Sequence, residues 1–184
     1  TGAGETRRLG RPAIVASAAS FLPGGERLVL SGSVESGGAR LYTFDMATAK
    51  LAPISPEGIT AYFCAIASPD GRFAFATSPE GKLTLYPVGE GQPLVVPGTT
   101  SDDVPIRWTE DGKAIFVRSE SGVPAKVERV DVTTGERQPW LELVPPDPAG
   151  VQGIGPIHLS ADGRSYVYSY RRKLDQLYVV RGLR

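Results

Sequence analysis

Few side chains in this sequence could carry chemistry. The only histidine, His158, sits in GPIHLS, and a hydrolytic triad would need a nucleophile presented beside it. No G-x-S-x-G elbow exists to supply one, so His158 reads as a packed or hydrogen-bonded strand residue. The only cysteine, Cys64, lies in the apolar run ITAYFCAIAS and cannot close an intramolecular disulfide. A buried, inert thiol is the expectation there. With one Cys and one His, a structural zinc would depend on carboxylates for its remaining ligands, which is uncommon. The adjacent Asp102 and Asp103 in SDDVP lack the spaced oxygen donors of a calcium loop. No metal and no cofactor is therefore expected, and on the absent triad and ligand sets the chain reads as a protein that is not an enzyme.

A second constellation is YSYRRKLDQLY. Tyr166, Tyr168 and Tyr170 recur at spacing two, which places them on one face of a strand, and Arg171, Arg172 and Lys173 form the next turn. Such a face can be a stacking platform with a cationic rim. It can equally be a half-buried strand packed on a neighbouring sheet. Lys plus Arg and Asp plus Glu both number 20, so no basic excess is available for counterion release and nucleic acid is not expected as a partner.

The elements that must position these residues read as short strands. Glycine (22) and proline (16) punctuate the chain too densely for long helices. SPDGR at Ser68–Arg72 returns as TEDGK at Thr109–Lys113, as SADGR at Ser160–Arg164, and in degenerate form as LPGGER at Leu22–Arg27. Strand-like runs flank each copy, as RLVLSGS, FAFATS, AIFVRS and SYVYSY follow the turns. An Asp-Gly between two such runs signals a hairpin, because both residues tolerate positive φ. Asp70, Asp111 and Asp162 thus read as structural, each accepting backbone N–H bonds across its turn. The turn glycines Gly25, Gly71, Gly112 and Gly163 are 46, 41 and 51 residues apart, the period of a four-stranded propeller blade.

The fold expected is all-β: a β-propeller of about four blades of four antiparallel strands, possibly part of a larger propeller. The blades span about 12–55, 58–97, 104–144 and 154–184, within a single domain or fragment covering 1–184. TGAGETRRL resembles the turn and strand TTGERQPWL, so residues 1–10 read as a displaced outer strand, with Thr6–Leu9 paired beside Leu174–Val180. That pairing could instead come from a second copy, making a homodimer through edge strands. The Pro-rich VPPDPAGVQGIGP, from Val144 to Pro156, reads as a long loop between the last two blades.

The SPDGR hairpins resemble the TolB-like, WD40-like propeller repeats of bacterial proteins. The final stretch, VPPDPAGVQGIGPIHLSADGRSYVYSYRRKLDQLYVVRGLR, is similar to the C-terminal end of propellers attached to bacterial serine/threonine protein kinases. No kinase phrase occurs here: no Gly-rich phosphate loop, no HRD, no DFG. A parental kinase would have its catalytic domain upstream of Thr1. The resemblance implies a binding or scaffolding module from the C-terminal part of a larger bacterial signalling or envelope protein. The alternative it leaves open is a structural piece closing a propeller attached to a kinase or hydrolase.

Blade geometry narrows the search for a site. Connections from second to third strands, and from one blade to the next, emerge on one face, and the Asp-Gly hairpins occupy the other. The first face carries Glu35, Glu57, Glu80, Asp102, Asp103, Glu120, Asp147, Arg171 and Arg172. Of these, Glu35, Glu57, Asp102, Asp103, Glu120, Arg171 and Arg172 are the expected ligand or partner contacts, with a protein or peptide the expected partner. TGAGETRRLG lacks the apolar core of a signal peptide and no stretch approaches a membrane span. No direct membrane insertion is expected, and the missing initiator Met suggests a stretch cut from a longer protein. A bacterial, extracytoplasmic or periplasmic setting is favoured over the cytoplasm.

Overall fold

The computed structural model describes residues 14–34, 37–61, 67–120, 122–160, 162–175, 178 and 182. The expected outer strand at Thr6–Leu9, the side chain of Glu35 and the thiol of Cys64 lie outside the described residues, as do residues 176, 177, 179 and 180 of its intended partner strand.

Among the described residues all thirteen elements are strands. The first sheet holds β1 (Val15–Phe21), β2 (Arg27–Ser33), β3 (Arg40–Asp45) and β4 (Leu51–Pro53) in sequential order. The second holds β5 (Phe73–Thr77), β6 (Leu83–Pro87) and β7 (Leu94–Val95), and the bridges Thr60↔Thr77 and Ala67↔Ala74 lay Thr60 and Ala67 beside β5. The third holds β8 (Asp103–Trp108), β9 (Ala114–Ser119), β10 (Ala125–Asp131) and β11 (Arg137–Leu143), again sequential and antiparallel. In the fourth, β12 (Val151–Leu159) pairs with β13 (Tyr166–Arg172). These successive antiparallel sheets are propeller blades, and the all-β propeller expectation holds.

Stacking order explains the apolar pattern. Inside the two middle sheets β6 and β9 are covered on both faces, buried over four consecutive residues, Leu83–Tyr86 and Ala114–Val117, whereas the edge strand β7 is exposed. Strict alternation belongs to sheets with one wet face. The first and fourth sheets each leave apolar side chains in solvent, including Val15, Phe21 and Val167. Between the first three sheets lies a continuous core of Leu41, Phe75, Tyr86, Trp108, Ile115 and Val130. Each such burial contributes about 1.5–3 kcal/mol before conformational entropy is subtracted. Phe75 and Trp108 meet at 6.0 Å between ring centres, joining the second sheet to the third. A second core links the last two sheets through Ile106, Phe116, Val127, Ile154 and Ile157.

The repeated turns have one design. Ser68 Oγ donates to Asp70 Oδ1 at 2.6 Å and accepts from Phe73 N at 3.0 Å, while Arg72 N donates to Asp70 Oδ1 at 3.0 Å. Thr109 with Asp111, and Ser160 with Asp162, repeat the arrangement. The structural role expected of the three aspartates is thus what they perform, with one change. Only the glycine of each turn takes positive φ; the aspartate is there for its carboxylate. At Asp70 burial pulls the pKa up, but the Ser68 hydroxyl and the Arg72 amide outweigh it. At Asp111 and Asp162 the Thr109 and Ser160 hydroxyls lead. All three carboxyls titrate below their ordinary value.

The Pro-rich segment departs from the expected loop. Strand β12 begins at Val151, so Gln152 to Pro156 belong to the sheet, and the true connection is 144–150. Two irregularities, between Val151 and Gly153 and between Ile154 and Ile157, let a Gly- and Pro-bearing run pair with β13. His158 is exposed on this strand, not packed as expected.

Candidate functional site

The loop ends of β9, β12 and β13 frame a cleft of about 690 Å³, lined by Arg118, Glu120, Gln152, Ser169, Tyr170 and Arg171 together with Gly153 to Pro156. Gly153 to Pro156 of β12 form its floor, and a Cβ on Gly155 would press on Ser169 Oγ. Gly153 is different, since a Cβ there would meet nothing within 4 Å. Arg118 is held by its own loop, its Nη1 donating to the carbonyls of Ser119 at 2.8 Å and Glu120 at 3.2 Å.

Two expected contact residues, Glu120 and Arg171, meet in this cleft. Asp102 lies beside it, since its carbonyl accepts from Glu120 N at 2.8 Å. The others are placed elsewhere. Glu57 stands at the junction of the first two sheets, 3.5 Å from Arg40 Nη1 and accepting from Gly38 N at 3.4 Å. Glu80 accepts from Ser78 Oγ at 2.7 Å. Arg172 is ion-paired to Asp147, and this guanidinium holds the Asp147 carboxyl below the usual range.

Asp103 opens strand β8 with its side chain 5% exposed. Both carboxylate oxygens accept from Arg137, at 2.8 and 3.0 Å, and Thr100 N donates at 2.7 Å. Glu128 also takes the Arg137 guanidinium, from Nε at 3.1 Å and from Nη2. Burial alone would raise the Asp103 pKa, but the Arg137 and Thr100 bonds outweigh it and the carboxyl titrates low. In return Asp103 drives Arg137 further toward permanent charge. These groups face each other and tie strands of one sheet together.

The tyrosine stripe on β13 forms as its spacing implies. Tyr166, Tyr168 and Tyr170 follow one another at 6.4 Å between ring centres, and Trp140 extends the row from the third sheet at 6.3 Å from Tyr166. Tyr168 packs against the core of the last two sheets, as a half-buried strand residue should. Tyr170 at the loop end is 44% exposed and lines the cleft.

Sequence reasoning missed Arg118, Gln152 and Ser169. Arg118 follows four consecutive buried residues of β9, and a cation closing such an apolar run is the signal that could have found it. Gln152 was hidden inside the segment read as loop.

Among the described residues no group of three or more His, Cys, Asp or Glu could hold a metal ion, and no helix is long and apolar enough to cross a membrane. No family model matches the chain and no curated protein matches it in sequence. Solved structures do match its shape. TolB from Acinetobacter baumannii aligns over 88% of this chain with 22% identity and a TM-score of 0.65, using 39% of its own length. An oligogalacturonate lyase from Vibrio parahaemolyticus aligns over 92% of this chain and 50% of its own, with 14% identity and a TM-score of 0.60. The periplasmic gluconolactonase PpgL of Pseudomonas aeruginosa aligns over 85% and 50%, with 20% identity and a TM-score of 0.55. The chain therefore spans half or less of the length of these proteins.

Two of these neighbours are named as enzymes, which corrects the expectation that the chain is not one. A missing hydrolase triad and missing zinc ligands exclude particular chemistries, whereas a lyase and a gluconolactonase are built on propellers of this shape. What the likeness establishes is the fold: a TolB-like, WD40-like β-propeller architecture.

Proposed function

We propose that this chain is a binding module from a larger bacterial signalling or envelope protein, and that a protein or peptide docks on its loop face at the cleft between the third and fourth sheets. The observation that carries the reading is the cleft itself. Side chains from three strands, Arg118, Gln152 and Tyr170 among them, converge over Gly153 to Pro156 in a cleft large enough for an extended segment. Rigid strands position each of these groups, so little ordering cost falls on the protein when a partner arrives. An extracytoplasmic setting agrees with the periplasmic gluconolactonase of similar shape.

The test uses the open space at Gly153. A tryptophan there meets no atom within 4 Å at its Cβ and fills the cleft from the floor. Short random peptides selected by display on the chain should lose binding to Gly153→Trp and keep it on Arg164→Gln, at the opposite end of β13. Selected peptides that ignore the tryptophan would place the docking surface elsewhere.

A further inference from the structure

We infer that the group recognised in this cleft is a single carboxylate on an extended peptide, held between Arg118 and Arg171; the inference rests on the loop-face reading above. The charges that line the cleft point to it. Among the described residues some cations, such as Arg40, Arg137 and Arg172, stand within ion-pair distance of an acid, and others, such as Arg72, Lys82 and Arg107, do not. Arg118 and Arg171, the two cations lining the cleft, form no ion pair among the described residues. Among the described residues Arg118 donates to carbonyl oxygens, which orient its guanidinium without neutralising it.

The surroundings select a monoanion. Glu120 is the one acid in the lining, so two guanidiniums and one carboxylate leave one positive charge to be matched. A dianionic group would meet Glu120 at close range and be disfavoured. Gln152 and Tyr170 offer neutral hydrogen-bonding partners beside the cations. The breaks in the β12–β13 ladder, at Gln152 and at Gly155 and Pro156, leave main-chain groups of the floor outside the regular pairing. An extended peptide supplies both a carboxylate and the backbone N–H and C=O groups that such a floor can meet. Guanidinium and carboxylate match as planar forks, which makes the contact specific for the acid over its amide.

Fluorescence anisotropy of labelled hexapeptides on the intact chain decides the matter. One peptide carries a single glutamate among glycine and serine with an amidated C terminus, a second has glutamine in its place, and a third is neutral along its length with a free terminal carboxylate. The expected result is saturable binding of the first or third peptide, with the amide counterpart roughly tenfold weaker. Which acid-bearing peptide binds distinguishes a side-chain source from a chain end. Arg171→Gln, at an exposed position, should cost a similar factor. Arg118→Lys should keep part of the affinity, and Glu120→Gln should raise it. Equal binding of acid and amide, indifference to Arg171→Gln, or no saturable binding by either acid peptide overturns the inference. None of these outcomes touches the docking surface, which fails only if displayed peptides ignore Gly153→Trp.

Discussion

Arg137 on β11 grips Asp103 at the start of β8, both carboxylate oxygens within 3.0 Å, although β8 and β11 are the two opposite edges of the third sheet. The same guanidinium donates to Gly98 O at 3.2 Å, in the connection that leads from the second sheet to the third. One side chain thus ties an outer strand, an inner strand and the linker between blades.

Removing it should therefore be costly. Arg137→Met leaves Asp103 and Glu128 without their cation, and an uncompensated buried charge typically costs about 3–5 kcal/mol. Because Arg137 is itself 29% exposed, about 2–4 kcal/mol is expected after allowing for solvent screening. Urea melts of Arg137→Met and of the double variant Arg137→Met/Asp103→Leu provide the check. The double variant should be less damaged than additivity predicts. Strict additivity would mean that the two residues do not act as a pair.

The same pair sets a pH dependence. The folded Asp103 carboxyl titrates below its ordinary value of 3.8. Its stabilisation is complete above that value and is lost as pH falls through the lower, folded pKa. Asp103→Asn should therefore be less stable than the parent at neutral pH, and the gap should narrow as the medium is acidified below about pH 4. A gap that stays constant down to pH 3 would show that the carboxyl is not held in its charged form.

Ala49 offers a gain. It has φ of 54° in the turn after Asp45, the position that Gly135 fills with φ of 75° in the turn after Asp131. Asp45 Oδ1 accepts from Thr48 N at 2.8 Å, and Asp131 Oδ1 from Thr134 N at 2.8 Å, so the turns correspond. Left-handed backbone costs a side-chain-bearing residue about 1–2 kcal/mol, partly offset by the extra freedom glycine loses on folding. Ala49→Gly should stabilise by about 0.5–1 kcal/mol. The reverse change, Gly135→Ala, should cost more than Ala49→Gly gains, because its Cβ would stand 2.6 Å from the Pro97 carbonyl. A denaturation midpoint for Ala49→Gly below that of the parent would refute the strain.

How much of this the sequence discloses depends on range. The Ser68–Asp70 and Thr109–Asp111 turns are legible because every partner lies within five residues and the phrase repeats. The blades follow, since hairpin signals fix which runs are neighbours. The Asp103–Arg137 pair is not legible: 34 residues separate the partners, and an aspartate in SDDVP looks like any loop acid until β8 is seen to begin on it. Gln152 and Gly153 mislead for another reason. Glycine and proline usually end a strand, but in β12 they shape irregularities within one. Part of the cleft was thereby assigned to a loop, while Glu120 and Arg171, in ordinary polar turns, were found.

The turns also pack blade upon blade, and this orders two otherwise equivalent substitutions. Gly71 and Gly112 have nearly the same backbone, with φ of 72° and 68°, so valine at either is strained by about 1–3 kcal/mol. Their neighbours differ. A Cβ on Gly71 would lie 2.7 Å from Cδ of Pro23 in the first sheet's turn, whereas on Gly112 the nearest atom is Cδ of Pro69 at 3.6 Å. A proline ring within a turn has little room to retreat, so Gly71→Val carries an additional overpacking cost of about 1 kcal/mol or more. Chemical denaturation should rank Gly71→Val below Gly112→Val. Adding Pro23→Ala should recover part of the loss for Gly71→Val and none for Gly112→Val. Equal losses at the two glycines, with no rescue by Pro23→Ala, would mean that the first and second turns are not in contact.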